Sequence, residues 1–227
     1  MTATIFTPDG IVISTIDSDN FYLSSRRNDS DNIELVNIVG HPHVVTFWNK
    51  YAMVFHQAGE FSYDQGLYYM LSEVMLRWED SVPTIYDLMP YIKKQIVDND
   101  LEIIGIMGGY SRSKEGKFEP YVYQVLGDDV RRINIDSEGK IAYNCVFLEK
   151  ETSFGRLLRD VQVKNGDNWE HLPPINIRCD LFSVRKAIEL NEFILTTAEY
   201  LKHINSSNSP KQRIENIVIT PDKLTIV

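Results

Sequence analysis

The chain has 227 residues, of which 43% are hydrophobic and 24% charged, and this is the composition of a globular protein that can bury a core in one domain, residues 1–227. Its net charge of −9 argues against a broad basic surface for nucleic acid or an anionic membrane, so neither partner is expected. No apolar run approaches the roughly 20 residues of a membrane-spanning helix, and we expect no membrane span.

The chain begins with a predicted β-hairpin. Two runs rich in β-branched and aromatic residues, 2–7 and 11–16, flank Pro8-Asp9-Gly10, in which Pro fixes one φ angle and Gly permits a positive one. A strand that begins at the first residues leaves no room for a signal peptide and holds the α-amino group in a fixed place. We therefore expect a cytoplasmic protein, and the N-terminus is the first place to look for chemistry.

Strands and then helices are predicted over the next part of the chain. Residues 33–39, 44–48 and 51–57 have the composition of strands. Over 63–78 the apolar residues recur every three or four positions, as on one face of a helix. A second helix follows the predicted N-cap Thr84 and contains Pro90, which has no N–H to donate. We expect this helix to kink or to begin later.

The second half of the chain returns to strands around one long helix. Strands are predicted over 101–107, where Gly108-Gly109 ends the run, over 121–126 and over 131–135. A helix is indicated over 154–163. The clearest helix runs from the predicted N-cap Asp180 to His203, and a final strand pair covers 214–220 and 224–227. Strand runs separated by grouped helices predict an α+β fold, with helices on the outer faces of two stacked sheets.

The two cysteines, Cys145 and Cys179, do not indicate a disulfide framework. In a chain without a signal peptide they are expected to be reduced thiols. Neither has a sequence neighbour that would build a nucleophile or a metal site, and His41-Pro42-His43 is better interpreted as a solvated turn than as a metal site.

Several motifs follow one another in an order that is known from one superfamily. Asp9-Gly10-Ile11-Val12-Ile13 followed by Asp17 is similar to the start "D-G-V-V-x-A-x-D", and the run 51–59 is similar to a strand ending in "A-G" before the first helix. The runs 103–110 and 120–125 are similar to a hairpin with "G-G-Y … P-x-L-Y-x-V". Together these motifs resemble the proteasome β-type subunits of the N-terminal nucleophile (Ntn) hydrolases.

This resemblance implies a fold, an assembly and a catalytic group. The fold would be a four-layer αββα sandwich of two antiparallel sheets flanked by helices, assembled into a homo-oligomer that is often a ring. An N-terminal Thr would attack a peptide or amide bond, with its own α-amine, of pKa about 8, as the base and with no cofactor. Thr2 would be this nucleophile once Met1 is removed, and Asp17 would orient the site. Gly108 and Gly109 would lie in a turn that helps to bind substrate.

The catalytic set departs from the family pattern in two places. Where the family has a lysine, this sequence has His43-Val44-Val45-Thr46, and the nearest lysine, Lys50, is out of register. Counting back from Asp17 also places Met1, rather than Thr2, at the nucleophile position. Two functions stay open: an N-terminal threonine peptidase or amidase, and a catalytically inactive ring-forming or interaction subunit of the same fold. An unrelated α+β binding module is a more distant third.

Overall fold

A computed structural model describes most of the chain. The described residues are 1–16, 43–57, 65–78, 81–113, 115–148, 162–165, 168–171, 177–203 and 213–227. They form twelve strands and three α-helices, which we number in chain order. Asp17 and the predicted strand over 33–39 lie outside them.

The first sheet combines strands from the beginning, the middle and the end of the chain. Its strands are β1 (Thr2–Phe6), β2 (Ile11–Ile16), β8 (Asn144–Leu148), β11 (Ile214–Ile219) and β12 (Leu224–Ile226). They are antiparallel in the order β12-β11-β2-β1-β8. The predicted opening hairpin and closing strand pair are both confirmed.

The second sheet follows the chain order. Its strands are β3 (His43–Phe47), β4 (Tyr51–Gln57), β5 (Ile103–Arg112), β6 (Phe118–Leu126) and β7 (Asp129–Arg132). Each is antiparallel to its neighbour. A separate hairpin consists of β9 (Gln162–Asn165) and β10 (Asn168–His171), so the helix indicated over 154–163 is not formed at residues 162–163.

The turn between β1 and β2 is held by Thr7. Its backbone N–H donates to the carbonyl of Gly10 at 2.9 Å, and its hydroxyl oxygen accepts from the N–H groups of Asp9 and Gly10 at 3.2 Å each. Gly10 also allows a close approach, because a Cβ there would come within 2.9 Å of a Val184 methyl and 3.0 Å of the Ile219 carbonyl. Gly10, which helped to predict the turn, therefore also allows the hairpin to pack closely against Val184 and Ile219.

The three helices are α1 (Gln65–Arg77), α2 (Ile85–Asp98) and α3 (Val184–His203). Thr84 caps α2, since its side chain accepts from the N–H of Asp87. The helix begins directly after this cap and continues through Pro90, so the expectation of a later start is wrong.

The long helix begins later than its sequence indicates. Cys179–Leu181 forms a 3-10 helix, and Asp180 pairs with Arg178 at 2.7 Å instead of capping α3. The predicted N-cap Asp180 is therefore wrong, because the neighbouring guanidinium binds the carboxylate. The N–H of Lys186 donates instead to the Ser183 hydroxyl oxygen at 3.4 Å.

The core has three main parts. Residues such as Phe6, Ile13, Val54 and Ile106 fill the space between the two sheets. The outer face of the second sheet packs with α1 and α2, and the outer face of the first sheet packs with the first half of α3. Apolar alternation along the strands thus places each side chain either between the sheets or under a helix.

The predicted four-layer αββα sandwich is wrong. In the described residues the molecule is two five-stranded antiparallel sheets with three α-helices, and it is mostly sheet. One helix, α3, contacts the first sheet, while α2 contacts the second and α1 packs on α2. Grouped helices in the sequence predict that each sheet is covered by a layer of helices. The number and length of the helices decide how much of each sheet is covered. No described helix is long and apolar enough to cross a membrane.

Candidate functional site

Thr2 lies at one end of the space between the two sheets. It is the first residue of β1, and it pairs with Thr15 of β2 on one side and Leu148 of β8 on the other. Glu215 of β11 pairs with Thr15. Cross-strand partners share a face of the sheet. Phe6 lies on the same face of β1 as Thr2, because the two are four residues apart, and Phe6 belongs to the core between the sheets. Thr2, Thr15 and Glu215 therefore form a polar row on the inner face.

This inner-face row is buried. Thr2 is 1% exposed, Thr15 is inaccessible and Glu215 is 4% exposed. Within the described part of the chain, the Oγ1 atoms of Thr15 and of Thr4, the next inward residue of β1, have no hydrogen-bond partner. The Glu215 carboxylate pairs with the exposed Arg213 at 3.1 Å. The row offers hydroxyl groups and one carboxylate, and that carboxylate is already bound to a cation.

Met1 occupies the position before the predicted nucleophile. Its carbonyl accepts a hydrogen bond from the N–H of Ile16 at 3.2 Å, and its side chain packs with Ala3, Ile16 and Leu195. While Met1 is present, the nitrogen of Thr2 is a peptide amide, which is not a base at neutral pH. Amine-assisted chemistry at Thr2 therefore requires removal of a residue that packs against α3.

The part of β3 over 43–46, the region in which the family pattern has a lysine, contains none. Val44, 1% exposed, belongs to the core between the sheets, whereas Val45 belongs to the core on the opposite face. Lys50 is the first lysine in the sequence. Its Nζ lies 5.5 Å from the ring centroid of Tyr51, which packs on the outer face of the second sheet. Lys50 is thus on the wrong face for a role beside Thr2.

Gly108 and Gly109 are not brought to Thr2. Both lie inside β5, which continues to Arg112, and the predicted turn is not formed there. Gly108 faces Ile11, Ile13 and Ile219 between the sheets, while Gly109 faces the ring of Tyr51 on the other side. Ile11 pairs with Phe6, the far end of β1. At about 3.3 Å per residue this end is roughly 13 Å from Thr2.

A buried amide ties the opening hairpin to α3. The Asn191 side chain donates to the carbonyls of Ala3 and Val12 at 3.3 Å each and to the Ser14 hydroxyl at 2.9 Å. Ser14 in turn donates to Asn216 at 2.6 Å. The sequence signal was an Asn in an otherwise apolar helical stripe, and its role as an anchor was not predicted.

Sequence reasoning also missed that Thr15 and Glu215 lie in one row with Thr2. The signal available was a polar residue at an inward position of each strand, but the pairing of distant strands is not visible in the sequence. Among the described residues, no group of three or more His, Cys, Asp or Glu side chains could hold a metal ion.

Comparison with known proteins identifies the fold. No protein-family model and no curated protein matches the chain. Anbu (ancestral beta-subunit) from Yersinia bercovieri matches with a TM-score of 0.53 at 11% identity, over 100% of this chain and 86% of that one. Anbu from Hyphomicrobium sp. strain MC1 matches with a TM-score of 0.54 at 13% identity, and the match covers 100% of this chain and 86% of that one. The structure of the helical assembly of the Anbu complex from Pseudomonas aeruginosa matches with a TM-score of 0.51 at 15% identity. This match covers 96% of this chain and 80% of that one.

These matches correct the resemblance that the sequence suggested. The three solved structures named above are Anbu proteins, and a described chain that is mostly sheet, with three helices, is a poor fit for a proteasome β-type subunit. At identities of 11–15% the matches show the fold alone.

Proposed function

We propose that this chain is a proteasome-related protein of the Anbu fold that acts as a subunit of a homo-oligomeric assembly and has no hydrolase activity. The observation that carries the proposal is the run 43–46, which contains no lysine although the family pattern has one in this region, and whose residue Val44 is buried and apolar. A threonine hydroxyl keeps its proton at neutral pH and is a poor nucleophile unless a neighbouring base or cation activates it, and the run 43–46 supplies no lysine for this role.

Assembly is supported by a protein of the same fold and by the surface of the helices. The P. aeruginosa Anbu complex is described as a helical assembly. Several large apolar side chains of this chain are more than half exposed at or near helices, namely Leu76 (55%), Leu181 (67%) and Tyr200 (63%). Side chains of this kind are favoured at contacts between subunits.

The first experiment measures assembly. Native mass spectrometry at micromolar concentration is expected to give multiples of 26.2 kDa, and negative-stain images then distinguish a ring from a helical filament. A protein that is entirely monomeric under these conditions would contradict the proposal. A cytoplasmic location and a single domain over 1–227 remain predictions.

A second function is favoured by one specific observation. Thr2 directs its side chain into the space between the sheets, in a row with Thr15 and Glu215. If Met1 is removed, the chain would present an N-terminal threonine that could act on a peptide or amide bond. In this alternative Thr2 is the nucleophile and Asp17 orients the site, whereas Gly108 and Gly109 lie inside β5 and away from Thr2 and take no part.

The second experiment separates the two functions. Intact mass reports whether Met1 is present, and a panel of peptide and amide substrates reports turnover. The proposal expects no turnover by the wild type. Turnover that is lost in Thr2→Ala but kept in Thr196→Ala, an exposed threonine of α3, would establish the hydrolase instead.

A further inference from the structure

Cys145 and Cys179 meet on the outer face of the first sheet. Cys145 lies in the edge strand β8, opposite Ile5 of β1, and Cys179 begins the 3-10 helix that precedes α3. Both are buried in one apolar cluster, which also contains Ile5 and Ala187. They are the only two cysteines of the sequence. The fold therefore brings both cysteines of the protein together.

The two thiols are in direct contact. Their side chains are hydrogen-bonded to each other, and this hydrogen bond, followed by burial, raises the pKa of the Cys179 thiol well above its usual value. Cys179 thus keeps its proton at neutral pH. Cys145 is the more accessible of the two, at 7% exposure against 0%.

We propose that Cys145 and Cys179 form a reversible disulfide, closed by hydrogen peroxide and opened by a thiol reductant. Cys145 is the residue that reacts with the peroxide, and Cys179 is the residue that resolves the product. The proposal is independent of any chemistry at Thr2. A metal site is not favoured for this pair, because the described residues provide no third ligand of the His, Cys, Asp or Glu type.

The chemistry balances with one peroxide. The Cys145 thiolate attacks one peroxide oxygen and the O–O bond breaks, which leaves a sulfenic acid and a hydroxide ion that takes up the proton released by Cys145. The Cys179 sulfur then attacks the Cys145 sulfur, the S–O bond breaks, and the leaving hydroxide takes the Cys179 proton. Two thiols lose two electrons in total, and the peroxide is reduced to two water molecules.

The disulfide would join two elements that are distant in sequence. It would connect β8, the neighbour of β1, to the short helix that leads into α3. A crosslink between such segments removes conformations from the unfolded chain and holds the start of α3 to the sheet.

The decisive experiment uses the wild-type protein. Reduced protein is treated with hydrogen peroxide, quenched with catalase, denatured and alkylated with iodoacetamide, and its intact mass is measured. The expected product is lighter by two hydrogen atoms and takes up no alkyl group, whereas dithiothreitol restores two alkylation sites. Full alkylation of both thiols after prolonged peroxide treatment would overturn the proposal, as would disulfides formed only between chains.

Two variants test the order of the steps. Cys179→Ser is expected to stop at a sulfenic acid on Cys145, which dimedone labels, while Cys145→Ser leaves Cys179 unlabelled. Labelling of Cys179 but not of Cys145 would refute the assigned roles. Circular dichroism checks that both variants are folded, and the wild-type measurement stands without them.

Discussion

The Tyr110 hydroxyl is buried between the two sheets and has no hydrogen-bond partner among the residues that the structure describes. Burial, as the largest cause, raises the pKa of Tyr110 from 10.0 to about 12. An ionised phenolate would be costly there, because the apolar core does not solvate it. Ionisation of this single side chain should therefore lower the stability of the folded protein at alkaline pH.

Removing this hydroxyl should reduce the loss of stability at alkaline pH. Since the tyrosine ionises at about pH 10 when unfolded and at about pH 12 when folded, its contribution is complete below pH 10 and declines by about 2 kcal/mol as the pH rises to 12. Tyr110→Phe should abolish that part of the decline. Near neutral pH the variant should be as stable as the wild type or about 1 kcal/mol more stable, because no hydrogen bond is lost.

The measurement is urea unfolding near neutral pH and at about pH 11. Tyr200→Phe, at a tyrosine that is 63% exposed, is the matched control. If Tyr110→Phe and Tyr200→Phe change the pH dependence equally, the burial of Tyr110 is not its cause.

At the scale of elements, α2 shows how tertiary contacts compensate for a local defect. The helix runs from Ile85 to Asp98 with Pro90 inside it, and its inward residues Ile85, Leu88, Met89 and Ile92 are buried against the second sheet. Proline at this position removes one hydrogen bond to the preceding turn. The burial of the apolar face keeps the helix formed across this point.

Restoring that hydrogen bond should stabilise the protein. Because Pro90 is exposed, Pro90→Ala removes no core contact, and it should raise the free energy of unfolding by about 1–2 kcal/mol. Lys93→Ala, at an exposed position of the same helix, is the control for general helix propensity and should change stability little. Thermal and urea unfolding measure both, and a destabilised Pro90→Ala protein would show that the proline fits a bend that the core requires.

At the scale of the whole molecule, Gly108 sets how closely the two sheets approach, and Gly109 leaves room for an aromatic ring within its own sheet. A Cβ on Gly108 would lie 3.2 Å from an Ile11 methyl and 3.3 Å from an Ile219 methyl, on the opposite sheet. A Cβ on Gly109 would overlap the Tyr51 ring. That ring is buried, and its hydroxyl donates to the Pro83 carbonyl at 2.9 Å, so it has little room to move.

The two glycines should therefore differ in their tolerance of a methyl group. Gly109→Ala is expected to cost about 3 kcal/mol of unfolding free energy, and Gly108→Ala about 1 kcal/mol, because the isoleucine methyls can shift slightly. Urea unfolding of the pair, each serving as the control for the other, tests this order. Equal losses would show that the Tyr51 ring does not limit the space at Gly109.

Much of the fold could be predicted because its signals are local. Pro8-Asp9-Gly10 between two strand-forming runs specified the opening hairpin, and apolar spacing specified the helices near α1 and α3. Less of the candidate site could be predicted. Thr2 was singled out from its place near the start of the chain and from the family resemblance, but Thr15 and Glu215 join its row only through the pairing of β1, β2 and β11.

The sequence by itself determined that the protein is a strand-rich globular domain with an opening hairpin, because turn chemistry and apolar periodicity act over a few residues. Tertiary structure alone decided that Gly108-Gly109 continues a strand, that Asp180 pairs with Arg178, and that Cys145 meets Cys179. These outcomes depend on which distant side chains come into contact. Such contacts are set by the register and packing of whole elements, and they leave no local pattern along the chain.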